Sequence, residues 1–402
     1  MRIRRLSLCF LGAAFALPCW ALAAPPATLK QAVDGAWQRV PDARTIEARQ
    51  EEAAAARATA GSWLATAPTL GLSQRRDESG SERAQRESEI SVSSSFWLPG
   101  QKSAREALAA RSSDEASAQL TATRLAVAGQ VRDRMWEAAA AQVTLEEKQD
   151  HLHHLEGLAH EVRRRVGAGD LARSDGLLAD QEVLAARIEV GKARTNAAET
   201  LARFQVLTGL PELPALEPEA LREGDVPANA RFRAAQASEQ RARAALRLAE
   251  ANRSAPPTIA LSVRREDERQ LREPVRSVGL GLQVPFGSAA RNRAVEAQAR
   301  TVIATAAAEA AEAQAASGAG LAVARARLAN ARAALDDAIA RAKALHEHTE
   351  LFENAFRQGE RGLADLLRSR ALTHEADVAV AQQQVAVGHA HAQLNQALGI
   401  LP

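Results

Sequence analysis

The sequence predicts a mainly helical chain with a small β part: two tandem helical hairpins of unusual length, each preceded by a pair of short strands. Three observations predict it. A proline-free stretch from Gly100 to Val166 has helical periodicity, two pairs of segments alternate with period two, and the whole order recurs after about 190 residues.

The recurrence organises the rest. PTLGLSQRR at 68–76, a polar stretch, EISVSSSFWLPG at 89–100 and a long alanine-rich helix form the first set. PTIALSVRR at 257–265, a polar stretch, SVGLGLQVPFG at 277–287 and another alanine-rich helix form the second. Pro68 matches Pro257 at a shift of 189, while Gly169 matches Gly359, Asp175 matches Asp365 and Gly209 matches Gly399 at 190. Strand signals and glycines in the same order point to tandem duplication, with repeats over 24–214 and 215–402.

Within the first repeat, Leu145, Leu152, Leu155, Ala159, Val162 and Val166 form an a/d heptad seam. In the second, Leu328, Ala331, Leu335, Ala338, Ala342, Leu345, Phe352 and Phe356 do the same. A helix of roughly 65 residues is about 97 Å long, too long for a compact domain, so such a rod must lie against others. Glycine-marked breaks near 167–170 and 359–362 turn each rod back as a hairpin.

The strand segments lie within hairpins at 68–98 and 257–285, with polar loops expected near 77–87 and 266–274. One face carries Leu70, Leu72, Ile90, Val92, Phe96, Ile259, Leu261, Val263, Val278, Leu280, Leu282 and Val284; the other is small or polar. Strands of about nine to eleven residues cross a bilayer when tilted, and those apolar residues would then face lipid. Four strands cannot close a barrel, and an open edge is not tolerated in hydrocarbon, so closure needs several chains. A water-soluble β-layer capping the helices would show the same alternation; the export signal and the duplication favour the membrane.

That signal is Arg2, Arg4 and Arg5, an apolar run from Leu6 to Leu17, and Ala21-Leu22-Ala23, read as a signal peptide over 1–23 with cleavage after Ala23. Cys9 and Cys19 both fall inside it, leaving no thiol for a disulfide or metal. Acylation at Cys19 is disfavoured by Pro18. Losing three arginines and no acid takes the formal charge from +2 to −1, which gives nucleic acid no basic footprint. No stretch is apolar for long enough to make a membrane-spanning helix. Tyrosine is absent and alanine abundant, as in helices whose backbones approach closely.

With these features in order, the chain resembles the TolC family of outer-membrane efflux factors over its whole mature length. WLPGQKSAR at 97–105, RVGAGDLARSD at 165–175 and FRQGERGLADLL at 356–367 are most similar to the heavy-metal, CzcC-like branch. The resemblance implies a homotrimer with one twelve-stranded β-barrel over a twelve-helix periplasmic α-barrel, and a belt of helix ends near 207–214. It implies a location in the bacterial outer membrane with a large periplasmic part. It also implies partners: a periplasmic adaptor (membrane fusion protein), an inner-membrane pump of the RND type and outer-membrane lipid. Adaptor docking is carried over to Arg165, Val166, Gly167, Gly169, Asp170, Asp175, Gly359, Leu363, Asp365 and Leu366. Physically, glycine permits the sharp reversal and an acid beside it suits a helix N-terminus, so Asp170 reads equally well as an N-cap.

Histidines are the remaining chemistry. His151, His153, His154 and His160 cluster before the first tip, and His346 and His348 before the second. His153 and His160 share a solvated face, with Glu156 between them on a nearby one, and could relay zinc, cobalt or nickel, although solvated positions need no such role. No phosphate loop, zinc-protease motif or nucleophile elbow is present, so neither enzymatic activity nor a cofactor is expected. The function predicted is a passive efflux conduit, most plausibly for divalent heavy-metal cations. Alternatives are a multidrug or type I protein-secretion channel and, from another class, a periplasmic coiled-coil adaptor or structural protein.

Overall fold

The computed structural model describes residues 27–76, 85–216, 219–220, 229–268 and 273–402. The segment read as a signal peptide, with Cys9 and Cys19, lies outside the described residues. In chain order the elements are α1 (Leu29–Arg39), α2 (Pro41–Ala60), β1 (Thr69–Arg76), β2 (Gln85–Ser95), α3 (Gln101–Ala168), α4 (Arg173–Thr208), α5 (Ala230–Ala251), β3 (Thr258–Glu268), β4 (Val275–Gln283), α6 (Ala289–Arg357) and α7 (Leu363–Ala397).

Helices α3 and α6 run for 68 and 69 residues, each about 100 Å, without a proline to interrupt the hydrogen-bond ladder. Every residue of the two heptad seams is buried or half-buried. The first seam packs α3 on α4 and the second packs α6 on α7; α3 also lies along α7, which joins the two repeats. The helices therefore form a single layer. Its order is α4–α3–α7–α6 towards the tips and α2–α3–α5–α6 towards the strands.

The four strands form one antiparallel sheet in the order β1-β2-β3-β4, so the two hairpins sit side by side and β2 pairs with β3. Both strand pairs extend further than their polarity suggests. Glu87 and Glu266 belong to strands rather than loops, because Arg264 lies between Glu87, Glu89 and Glu266 at 2.7, 3.0 and 3.7 Å and carries the ladder past the apolar stretch. Opposite charges on neighbouring strands support pairing where apolar contacts have ended.

Candidate functional site

Register assembles the strand side chains into rungs. Leu70, Val92, Leu261 and Leu280 form one, and Leu72, Ile90, Val263 and Val278 the next. Ile259 and Leu282 begin a third. All of these, with Val284 just past β4, are between 40% and 78% exposed. Burying such a side chain is worth about 1.5–3 kcal/mol, so a sheet that leaves the whole face bare in water forgoes a large stabilisation. Phe96 differs. It falls one residue beyond β2, where its N–H donates to the Pro257 carbonyl at 2.9 Å, and it is half-buried edge-to-face on Trp63 at 6.4 Å.

The reverse face is built from the smallest side chains available. Thr69, Ser93, Ala260 and Gly281 make one rung, and Gly71, Ser91, Ser262 and Gly279 the next. Nothing bulky projects from these two levels.

Among the described residues, both ends of the sheet, at β1 and β4, lack a neighbouring strand, and the helical layer is likewise open at its sides. On α4, Leu177, Leu184 and Ile188 stand exposed along one stripe; on α6, Val295, Val302 and Val323 keep a single heptad phase and are also exposed. Apolar edges on the same chain, on sheet and helices alike, are the form of an incomplete wall.

The tips repeat one another. Gly169 ends α3 at φ 88° and Gly359 follows α6 at φ 81°, backbone angles at which any side chain is strained. At the first tip the N–H of Gly169 donates to Val166 and that of Asp170 to Arg165; at the second, Gly359 donates to Phe356 and Glu360 to Ala355. These paired bonds satisfy the last carbonyls of each helix. The Asp175 carboxylate accepts from the Ala172 N–H at 3.2 Å, so Asp175, rather than Asp170, caps α4. Asp170 itself is exposed, as are Gly167 and Asp365. The Arg165 guanidinium lies 5.0 Å from the centre of the Phe356 ring and ties the two tips together.

Leu363 and Leu366 require a correction. They are only 3% and 2% exposed, packed with Leu155, Val162 and Phe356, because α7 begins at Leu363 and turns its first apolar face into the tip core. They support the tip from within and are covered by the chain's own side chains. Val166 is half-buried against the same cluster.

The metal candidates do not converge. Glu156 is held by Arg187 at 2.7 Å, His153 and His160 are exposed, and no group of three potential ligands is assembled among the described residues. A different pair meets instead: His151 of α3 stacks on His374 of α7 with ring centres 3.9 Å apart and planes 8° from parallel. They line a cleft of about 650 Å³ together with Glu147, Asp150 and Asp377. Burial, helped for His151 by Lys148 and for His374 by His151, lowers both imidazoles to about 4. His151 stands in the histidine cluster of the first repeat, but its meeting with His374 is not readable in sequence, since the 190-residue shift does not pair them.

No family model matches the sequence, and no curated protein matches it. Solved structures do. The chain is similar to VceC, an outer membrane protein of Vibrio cholerae, at 15% identity over 92% of this chain and 96% of that one, with a TM-score of 0.76. It is similar to CusC, whose structures describe transmembrane channel formation, at 15% identity over 93% and 92%, with a TM-score of 0.78. The open MtrE outer membrane channel of Neisseria gonorrhoeae gives 18% identity over 92% and 89%, with a TM-score of 0.76. This chain has the fold of those proteins. The likeness runs over nearly the whole of each chain, sheet and helical layer together.

Proposed function

We propose that the protein is the outer-membrane channel subunit of a tripartite efflux system, a passive conduit with no catalytic step of its own. A single observation carries this reading: the exposed apolar rungs end at unpaired strand edges, above a helical layer whose own edges are apolar and exposed. Copies of the chain satisfy both edges at once, and three copies give the twelve-stranded barrel that the family resemblance implies. Each half, 24–214 and 215–402, then serves as one repeat of the wall, after export directed by residues 1–23.

The tips point away from the sheet and form the adaptor-docking end, through Arg165, Gly167, Gly169, Asp170, Asp175, Gly359 and Asp365. Energy comes from an inner-membrane pump of the RND type. The cargo class is divalent heavy-metal cations, supported by the CzcC-like phrases at 97–105, 165–175 and 356–367.

Fractionation followed by size analysis in detergent tests the channel: a trimer recovered from outer membranes is expected, and a monomer in the periplasmic extract would overturn it. Deleting the gene is expected to sensitise cells to zinc, cobalt, cadmium or nickel. Sensitivity confined to drugs or detergents would transfer the cargo to the multidrug class.

A further inference from the structure

Past the last apolar rung the two faces of the sheet part company in charge. On the apolar side, register places Gln74, Ser88, Arg265 and Arg276 at the next level, and Arg76, Arg86 and Asp267 at the one after. On the reverse side the same stretch carries Arg75 opposite Glu87, and Glu87, Glu89 and Glu266 are gathered by Arg264. Arginines thus outnumber acids on one face while carboxylates outnumber cations within the Arg264 cluster on the other. Arg265 is paired with Asp267 at 3.3 Å. Arg76, Arg86 and Arg276 are exposed and make no ion pair among the described residues; the Gln74 amide, turned so that its oxygen faces Arg86, accepts from Nε and Nη2 of that guanidinium and leaves its Nη1 side for a further acceptor.

Depth gives this arrangement a ligand. Successive rungs are about 7 Å apart along a strand, or about 5 Å in depth at a barrel tilt of roughly 40°. The two arginine levels therefore lie about 5 and 10 Å beyond the apolar belt, the first within a headgroup layer about 5–8 Å thick and the second at its outer margin, from which the long side chains of Arg76 and Arg86 can reach back. They lie at the hairpin end of the sheet, remote from the helices, which is the outer-leaflet side. A guanidinium presents two parallel donors that match phosphate.

We propose that Arg76, Arg86 and Arg276 bind the phosphates of phosphorylated glycolipid headgroups in the outer leaflet, anchoring the barrel at a set depth. The inference rests on the membrane reading of the sheet.

The test uses the full chain in nanodiscs of phosphatidylcholine doped with bisphosphorylated lipid A, with retained lipid A measured by native mass spectrometry. Each arginine is worth about fivefold, so the combined Arg76→Gln, Arg86→Gln and Arg276→Gln variant is expected to retain lipid A about 100-fold more weakly. Dephosphorylated lipid A is expected to be retained as poorly by the wild type. Asp267→Asn, which frees Arg265, is expected to raise retention about fivefold and serves if the triple variant does not assemble. Unchanged retention in the triple variant, no rise in Asp267→Asn, or full displacement by inorganic phosphate alone would overturn the proposal. A wild-type chain that stays outside the nanodisc would instead overturn the membrane reading, and this proposal with it.

Discussion

The two repeats meet along α3 and α7 at two places, and the places are built differently. Midway along the rods, Arg132 is 1% exposed and bonds to both carboxylate oxygens of Glu219 at 2.7 and 2.6 Å, to Gln396 at 2.7 Å and to the Ile400 carbonyl at 3.1 Å. One turn further, the Trp136 ring lies against Gly388 so closely that a Cβ there would overlap it. Nearer the tips, the same two helices meet through the half-buried His151–His374 stack beside an open cleft. Beside it the hydroxyls of Thr349, Ser369 and Thr373 link α6 to α7, each bond to Thr349 being 2.7 Å long. The upper joint is locked by charge around a nearly buried Arg132, with a cleft of about 910 Å³ beside it; the lower is a polar stack of half-buried rings with no ion pair between the two helices' histidines. Helix α3 runs unbroken through both.

The largest effect that would break this contrast is at Arg132. Arg132→Ala leaves Glu219 without its partner in a nearly buried place and is expected to cost about 3–5 kcal/mol of stability, read from urea unfolding of the purified protein. A loss no larger than that of a surface arginine would remove the locked joint. Gly388→Val is expected to cost about 1–3 kcal/mol through overpacking against Trp136, with Gly388→Ala milder in the same melt.

At the lower joint the prediction concerns pH. Both histidines have lowered values, about 4 in the folded protein against 6.5 ordinarily, so the neutral stack contributes stability that is complete above pH 6.5 and is lost as pH falls towards 4. Glu147 runs the other way: burial, with Asp377 and Asp150, raises it, so its contribution fades as pH rises. Melting temperature measured from pH 7 to pH 4 should therefore fall, and the double variant His151→Asn and His374→Asn should flatten the fall. An identical profile in that variant would deny the stack its role.

The smallest expected stability change is at the tip. Gly169→Val places a branched side chain at φ 88° and is expected to cost about 1–2 kcal/mol locally while trimers persist. Bulky residues at Gly167 and Gly169 together are expected to abolish crosslinking to the adaptor. Intact crosslinking would separate the tip glycines from docking.

The pattern of what was legible follows from the range of each interaction. Strand rungs, rod lengths and both tip glycines were readable because alternation, missing prolines and a 190-residue recurrence are local or self-referring signals. Arg132 was not, because a single arginine on an alanine-rich helix looks solvated until Glu219, in an irregular segment 87 residues on, closes over it. His151 and His374 are brought together only by packing one repeat on the other. Leu363 and Leu366 were assigned to docking from the phrase they sit in, yet burial is decided by which side of α7 faces Phe356.

The rungs of glycine, serine, threonine and alanine on the reverse side of the sheet have a last implication. Over those levels a closed barrel would offer passing cargo hydroxyls and peptide groups but neither charge nor girth, a bore that cannot sort what moves through it. Discrimination in the proposed channel would then fall to its two extremities: the carboxylates gathered round Arg264 at one end and the glycine-turned tips at the other.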